Sequence, residues 1–515
     1  MKISNMKILL TAVCLILSLL PARAQGVHDF IEGGFKYYIE NDTAVTISDA
    51  GDDAPIPVTA DSTLTIPSTV VHEGRTYRVT YIATKAFSVR REIRHLVIGE
   101  GVEIIGPYAF ARCPNLTSME IPSTLSCAPC YEEGFFYGCS NLCRITVDRR
   151  NEEFDSRDDC NAIICTETDM LLLGCRSTVI PPTVTTIGPK AFDNCTNLVR
   201  LVLPEGVRRI EYQAFRDCIN LKEIVLPSTL DSIGGSVFEN CMNLESVTIP
   251  RGVTKISPRV FSGCYNLKEV KVDKANPTFD SRKHCNAIID TAQDTIVAGC
   301  GNSFIPEGIK GIGAFAFANS SLREIKIPRS VRHIGDRAFA ECHYCNAVSV
   351  HPGNPLYDSR GDSNAIIESA TGRLVQGCSL TSVPDGVREI GDYAFFGVRL
   401  PPHLVIPEGV ETIGYWAFSN YCAIQYVVLP SSLKWIKARA FSCIYALRYV
   451  DMSRCSPRVE VFAFSGCKAL NVVDLSPHPG IIDNLAFANC PCKESVLRQV
   501  RRQGERGDEV PGQEG

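Results

Sequence analysis

The chain has 515 residues, a net charge of −5, a pI near 6.1 and 45% hydrophobic residues. That supply of apolar side chains can build a large core, and the acidic balance argues against a basic nucleic-acid surface. With 24 cysteines, disulfides or metal sites have to be weighed from cysteine position, not from number.

At the N-terminus, Lys2 and Lys7 precede the apolar run "ILLTAVCLILSLL" (Ile8–Leu20), and "ARA" (Ala22–Ala24) comes next. A basic start, a short apolar stretch and a small-x-small site read as an export signal, residues 1–24, cleaved before Gln25. No later segment is long and apolar enough for a membrane helix, so no membrane span is expected after signal removal. Next, "GGFKYYIENDTAVTI" (Gly33–Ile47) alternates apolar and polar residues like a hairpin. Residues 25–78 are expected to form a β cap that covers the first open edge of the sheet built by residues 79–490.

From residue 79 to 490 the chain repeats itself. "AFDNCTNLVRLVLPEGVRRI" starts at Ala191, "AFRDCINLKEIVLPSTLDSI" at Ala214 and "VFENCMNLESVTIPRGVTKI" at Val237. The key phenylalanines Phe192, Phe215, Phe238 and Phe261 are 23 residues apart, and the ladder runs from Phe87 to Phe487 in about fourteen units. In "NLKEIVLP", Ile224 and Leu226 alternate with polar positions, which predicts a short strand with one buried face, ended by Pro227. A unit buries about six large apolar side chains at roughly 1.5–3 kcal/mol each, against about 1–2 kcal/mol per ordered residue. One unit alone is therefore unstable, and stacking into a parallel solenoid, with a sheet along one face, is required. Three steps of the ladder span 56 residues, one 23-residue unit plus 33. The excess falls at 148–180, 273–305 and 351–383, and each copy has the form "FDSRKHCNAIIDTAQDTIVAGC" (Phe279–Cys300). Each insertion is expected to be hairpin-like, an island packed on the solenoid, with Asn161, Asn286 and Asn364 capping its turn. Residues 491–515 read as a polar tail, helical to about Arg502.

The block A-F-x-x-C-x-x-L-x-x-I-x-I-P-x-x-V-x-x-I, recurring in register, resembles the leucine-rich repeat of the BspA-like family of bacterial surface proteins. The resemblance spans roughly Leu64–Cys490 and includes the "NAII…GC…IP" insertions; Cys345 in place of a leucine and the shortened unit after Phe395 depart from it. It implies an α/β-type leucine-rich repeat solenoid, cell-surface attachment, and binding to proteins or polysaccharides of a host or neighbouring cell surface.

No enzyme motif emerges: G-x-S-x-G, H-E-x-x-H, Walker A and dinucleotide fingerprints are all missing from the sequence, so neither catalytic residues nor a cofactor is assigned. The cysteines three residues after the key phenylalanines, Cys195, Cys218, Cys241 and Cys264 among them, form one column, not a cluster. A small apolar side chain suits that interior turn, so Phe192, Phe215, Phe238, Phe261 and these cysteines are taken as structural. Cys160/Cys175 and Cys285/Cys300 could face each other, but the third copy has Ser363 in the first place, which argues against a disulfide or metal purpose. "CAPC" (Cys127–Cys130) and "CHYC" (Cys342–Cys345) lack a redox or zinc context. Arg-Gly-Asp occurs at Arg360–Asp362 and Arg506–Asp508, and both are taken as incidental. The binding residues expected on the strand face are Lys222, Glu223, Glu245, Lys268, Glu269, Arg323, Glu324 and Arg448. A recognition or adhesion protein is the principal expectation. The alternatives are an envelope spacer and a glycan-binding component of a surface uptake system, the latter with Tyr426 and Tyr449 as nearest aromatics.

Overall fold

The computed structural model describes residues 29–49, 56–127, 136–420 and 423–507. The expected export signal and Cys130 lie outside these residues. The chain divides into two units, 1–156 and 157–515. The fold is a parallel β-solenoid of about 17 turns with a spacing of about 23 residues.

In the first unit, strands Phe30–Glu32, Phe35–Asn41 and Ala44–Asp49 form an antiparallel meander, and the last pairs in parallel with Arg75–Ile82. Residue 78, the boundary expected from the sequence, falls inside that long strand. Its far end, Tyr81–Ile82, pairs in parallel with Ile104–Ile105, so one strand belongs to both cap and solenoid. Thr63–Ile66, His95–Ile98, Ser118–Ile121 and Arg144–Val147 make a parallel ladder in which Leu64, Leu96, Met119 and Ile145 stack inward. Phe35 meets Phe87 edge-on at 6.0 Å, tying the meander to the first phenylalanine of the repeats.

In the second unit the expected strands form parallel ladders in sections. Arg200–Val202, Glu223–Val225, Ser246–Ile249 and Glu269–Val272 make one, and His403–Val405, Tyr426–Val428, Tyr449–Met452 and Val472–Leu475 another. A second ladder was not expected: the V-x-x-I segments pair as two-residue strands, Arg209–Ile210 with Ser232–Ile233 and then Lys255–Ile256. The return from it to the phenylalanine is made by turns and not by helices. The residues two before and two after the key phenylalanines from Phe192 to Phe464 have positive φ, as in Gln213 (56°) and Asp217 (57°), or Ser236 (52°) and Asn240 (59°). Left-handed residues at that spacing interrupt any helix. The helix seen in full is Lys493–Gly507, extending past Arg502.

The phenylalanines form interior stacks. Ring centroids are 5.2 Å apart for Phe192–Phe215, 5.7 Å for Phe215–Phe238 and 6.0 Å for Phe238–Phe261. From Phe395 to Phe487 the steps are 4.9–5.1 Å. Offset ring pairs of this kind contribute about 0.5–1.5 kcal/mol beyond their burial.

The insertions are hairpin-like but are not islands. In the second copy, Phe279–Asp280, Ala287–Asp290 and Thr295–Gly299 pair antiparallel, and Thr295–Gly299 then opens a new two-residue ladder by pairing in parallel with Gly311–Ile312. Cys285, Ala287, Ile288, Ile289 and Ile296 are each 0% exposed, so the insertion is part of the core. Gly299 donates its N–H to the Ala316 carbonyl, as Phe215 does to Val237 in an ordinary turn. A Cβ on Gly299 would lie 2.1 Å from the Phe317 ring; Gly174 and Gly377 meet Phe192 and Phe395 in the same way. The "GC" of each insertion is therefore a coil in which glycine stands where phenylalanine would.

Asn161, Asn286 and Asn364, expected to cap the turn, act mainly through their backbones: the side-chain bonds are long, Asn286 Nδ2–H to the Asn302 carbonyl at 3.4 Å and the Val348 N–H to Asn364 Oδ1 at 3.5 Å. They take left-handed φ values of 52–54°, and their own carbonyls receive the hydroxyls of Thr178, Ser303 and Thr381. The side-chain cap is made by three other asparagines, Asn151, Asn276 and Asn354, each 7–9% exposed. Asn276 donates Nδ2–H to the Pro250 and Val253 carbonyls at 2.8 and 2.9 Å, while its Oδ1 accepts from the N–H of Thr278 and Phe279 at 2.9 and 2.8 Å. Asn354 repeats the pattern with Pro328, Val331, Leu356 and Tyr357.

Candidate binding surfaces

Of the expected binding residues, Lys222, Glu223, Glu245, Lys268, Arg323, Glu324 and Arg448 are exposed and Glu269 is half-buried. All lie on or beside the long-strand ladders, whose buried residues point the other way. Backbone hydrogen bonds link Glu245 to Lys222 and Lys268 to Glu245, so cation, anion and cation sit on successive turns. Glu223 also pairs with Arg200 at 2.9 Å, Glu269 with Lys271 at 2.7 Å and Glu324 with Lys326 at 2.8 Å. Of these pairs only Arg200–Glu223 joins neighbouring strands, where opposite charges stabilise the ladder by about 0.2–1 kcal/mol, so this face serves the fold as well as any partner. Arg323 belongs to a separate section, Glu324–Ile327 with Ala347–Val350. Tyr426 stacks on His403 at 4.7 Å and lies 6.3 Å from Tyr449. Tyr449 donates to Asp474 at 2.5 Å, and that bond, with the carboxylate charge, pushes its phenol up to about 12.

The cysteine column is buried and hydrogen-bonded. Cys218, Cys241 and Cys264 donate Sγ–H to the carbonyls of Phe192, Phe215 and Phe238 at 3.1, 3.2 and 3.0 Å, each reaching the preceding turn. Burial pushes the Cys195 thiol up to about 12 and holds Cys218 and Cys241 well above the ordinary thiol range, which keeps these three thiols unreactive. The Phe192 carbonyl also accepts the Cys195 N–H at 3.0 Å. Cys218→Ala should therefore cost about 1 kcal/mol in equilibrium urea unfolding, the loss of one weak bond without an orphaned carbonyl. A loss of about 3 kcal/mol or more, the range of an emptied core position, would show that the thiol itself holds the turn.

Cys285 and Cys300 are free thiols; Cys300 donates to the Asn286 carbonyl at 3.5 Å and Cys285 to that of Ala287 at 3.7 Å. In the third copy Cys378 makes the same bond to Asn364 at 3.6 Å although its partner position is the buried Ser363. Cys342 belongs to the column, bonding Phe317 at 3.2 Å, whereas Cys345 donates to the Ala347 carbonyl at 3.5 Å. No group of metal-ligating side chains occurs among the described residues.

Arg360 is clamped by Asp358 through two hydrogen bonds, Nε to Oδ1 at 2.8 Å and Nη2 to Oδ2 at 2.6 Å. Arg282 and Asp280 repeat this clamp in the second insertion. Gly361 (φ 64°) matches Lys283 (φ 57°) in conformation. The first Arg-Gly-Asp string is thus a variant of the insertion's own turn, and Asp362→Ala should leave binding of any partner unchanged in a direct titration. Of the second string, Arg506 and Gly507 end the helix and Asp508 lies outside the described residues.

A cavity of about 330 Å³ was not foreseen. It is built from the residue two before each key phenylalanine, the left-handed position that carries its side chain to the edge of the loop. In successive turns these residues are Arg259, Phe315, Arg337, Tyr393 and Trp416, two cations interleaved with three rings. The Arg259 guanidinium lies 5.4 Å from the Phe315 centroid; that of Arg337 lies 5.4 Å from Phe315 and 3.8 Å from Tyr393. Tyr393, Phe396, Tyr415 and Trp416 close an edge-to-face square with spacings of 5.6–5.9 Å. The turns meet although 56 residues separate them: Gly263 N–H bonds the Asn319 carbonyl at 2.9 Å, across the second insertion, and Glu341 N–H bonds that of Phe396 at 3.1 Å, across the third. The column two places before each phenylalanine carries a partial signal, since Lys190, Gln213 and Ser236 give way there to Arg and aromatic residues, but Arg439 and Phe462 continue it beyond the cavity.

Stacked turns of L-x-x-I-x-I strands on a buried phenylalanine column define a leucine-rich repeat solenoid. The chain belongs to the BspA type of leucine rich repeat region, whose family model matches residues 74–158, 173–288, 299–355 and 374–493. It is similar to a leucine-rich repeat protein from Bacteroides ovatus, at 21% identity over 90% of this chain and 92% of that one, with a TM-score of 0.34. A leucine rich cell surface protein from Faecalibacterium prausnitzii has 21% identity over 87% and 94%, with a TM-score of 0.34. The pneumococcal vaccine antigen PcpA has 16% identity over 88% and 84%, with a TM-score of 0.32. No curated protein matches the chain.

Proposed function

We propose that this protein is exported and works, without catalysis, as a recognition or adhesion protein at the cell surface, binding a macromolecule of a host or neighbouring cell through the long-strand face of its solenoid. The observation that carries this is the register of exposed side chains: Lys222, Glu245 and Lys268 stand on successive turns over a fixed buried ladder. Such a surface gathers many modest contacts at set spacing, which suits an extended partner better than a small substrate. Export rests on the N-terminal signal sequence. No helix among the described residues is long and apolar enough to cross a membrane.

The test is binding to immobilised host matrix glycoproteins and envelope polysaccharides. Lys222→Gln, Lys268→Gln and Arg323→Gln are combined; neutral glutamine avoids setting like charges around Glu245. At about 0.5 kcal/mol per lost ion contact, affinity should fall about tenfold and its salt dependence should flatten. Unchanged affinity and salt slope would place binding elsewhere on the molecule.

A further inference from the structure

We infer that the arginine–aromatic cavity at the loop edge is a second binding site, for a neutral sugar unit of a glycan. It is independent of the strand face. The left-handed backbone at these positions recurs in turns outside the cavity, as at Gln213 and Ser236, so it points to nothing by itself. What is particular to this stretch is the chemistry placed on it, and three features of that chemistry converge.

The first is hydrogen-bonding capacity that the protein leaves unused. Arg259 Nε and Ser262 Oγ are buried at the cavity without a hydrogen-bond partner. Arg337 Nε lies 3.4 Å from Asp336 but outside hydrogen-bond geometry. Buried polar groups are nearly always satisfied, and one left bare is costly, so a polar ligand or its water substitute is called for here. The second is the half-exposed rings of Tyr415, Trp416 and Phe396, which offer apolar area against which the C–H face of a pyranose ring can lie. Donors (the guanidinium N–H groups, the Asn319 amide) and acceptors (Glu341, Ser262) border the same space, as a ring of hydroxyls needs.

Charge is the third feature, and it decides the class. Arg259 is already paired with Glu239 at 2.7 Å, Arg337 faces Asp336, and Glu341 adds a further carboxylate. With no excess of positive charge, the cavity lacks the means to hold a phosphate or a uronate chain, while its guanidinium N–H groups remain good donors to hydroxyls. The volume, about 330 Å³, stands at the low end of the roughly 300–1,000 Å³ of small-ligand sites, which fits a short piece of a chain.

The full chain contains two tryptophans, Trp416 and Trp435. Trp435→Phe leaves Trp416, at the cavity, as the reporter. Its emission is titrated with malto-, manno-, cello- and laminarihexaose, and with hexagalacturonate as the acidic comparator. The expected result is a saturable change with at least one neutral hexasaccharide and none with hexagalacturonate. Tyr415→Ala and, separately, Glu341→Gln should each weaken that binding about tenfold. Glu341→Gln removes no ring from the packing, so it keeps the test valid if Tyr415→Ala loosens the loop. The triple glutamine variant of the strand face should bind the sugar as before, which separates this site from the one proposed above. No change with any neutral sugar, a response to hexagalacturonate alone, or loss of binding in the strand-face variant overturns the proposal.

Discussion

Phe215→Ala should lower the unfolding free energy by about 3–5 kcal/mol, the usual cost of emptying a fully buried aromatic position. Phe215 is 0% exposed and lies between the rings of Phe192 and Phe238, at 5.2 and 5.7 Å. Its removal opens a cavity and breaks two ring contacts at once. Neighbouring turns cannot close the gap, because the backbone bonds from Phe192 N–H to Ala214 and from Phe215 N–H to Val237 hold their spacing. In a solenoid each turn touches chiefly its neighbours, so the loss should be local. Amide hydrogen exchange should accelerate in residues 192–261 and stay near its original rate in residues 395–487. A cost below that of Cys218→Ala would mean that the phenylalanine column is not what holds successive turns together.

Asn276→Ala should destabilise the chain by about 3 kcal/mol, because each buried group left without water or a partner costs about 1–3 kcal/mol. The side chain is 9% exposed and makes four hydrogen bonds, two to carbonyls of the preceding turn and two from the N–H groups that start the insertion. Alanine supplies none of these. Asn286→Gly should change stability by less than about 1 kcal/mol, because its φ of 54° suits glycine, its carbonyl still accepts the same bonds, and the one side-chain bond lost, to the Asn302 carbonyl, is long and exposed at 3.4 Å. Urea unfolding of the two variants, with limited proteolysis of the insertion, separates them. If Asn286→Gly were the more damaging, the asparagine cap would lie where the sequence alone had placed it.

The sequence by itself determined the repeat. A strict period makes each turn the template for the next, so the spacing of Phe192, Phe215, Phe238 and Phe261 specified the inward column, and the alternation in "NLKEIVLP" specified a parallel strand. The three hairpin-like insertions were equally plain as departures from that period. Several features became visible only in the tertiary structure. Two-residue strands such as Arg209–Ile210 carry too little local pattern to be read, and become a ladder only when stacked. Asn286 stood out because it recurs beside two cysteines, yet the cap belongs to Asn276, whose partners Pro250 and Val253 lie 26 and 23 residues back. The insertions were read as islands because their apolar residues have a period of their own, but Gly299, by standing in for phenylalanine above Phe317, places them inside the core. The cavity is the least legible of all. Its side chains sit at a position the core does not constrain, and turns 56 residues apart meet there only because the loops stack straight across the insertions, as Gly263 does on Asn319. Periodicity dictates what every turn must share; what a few turns hold between them is decided by which unshared side chains the stacking happens to bring together.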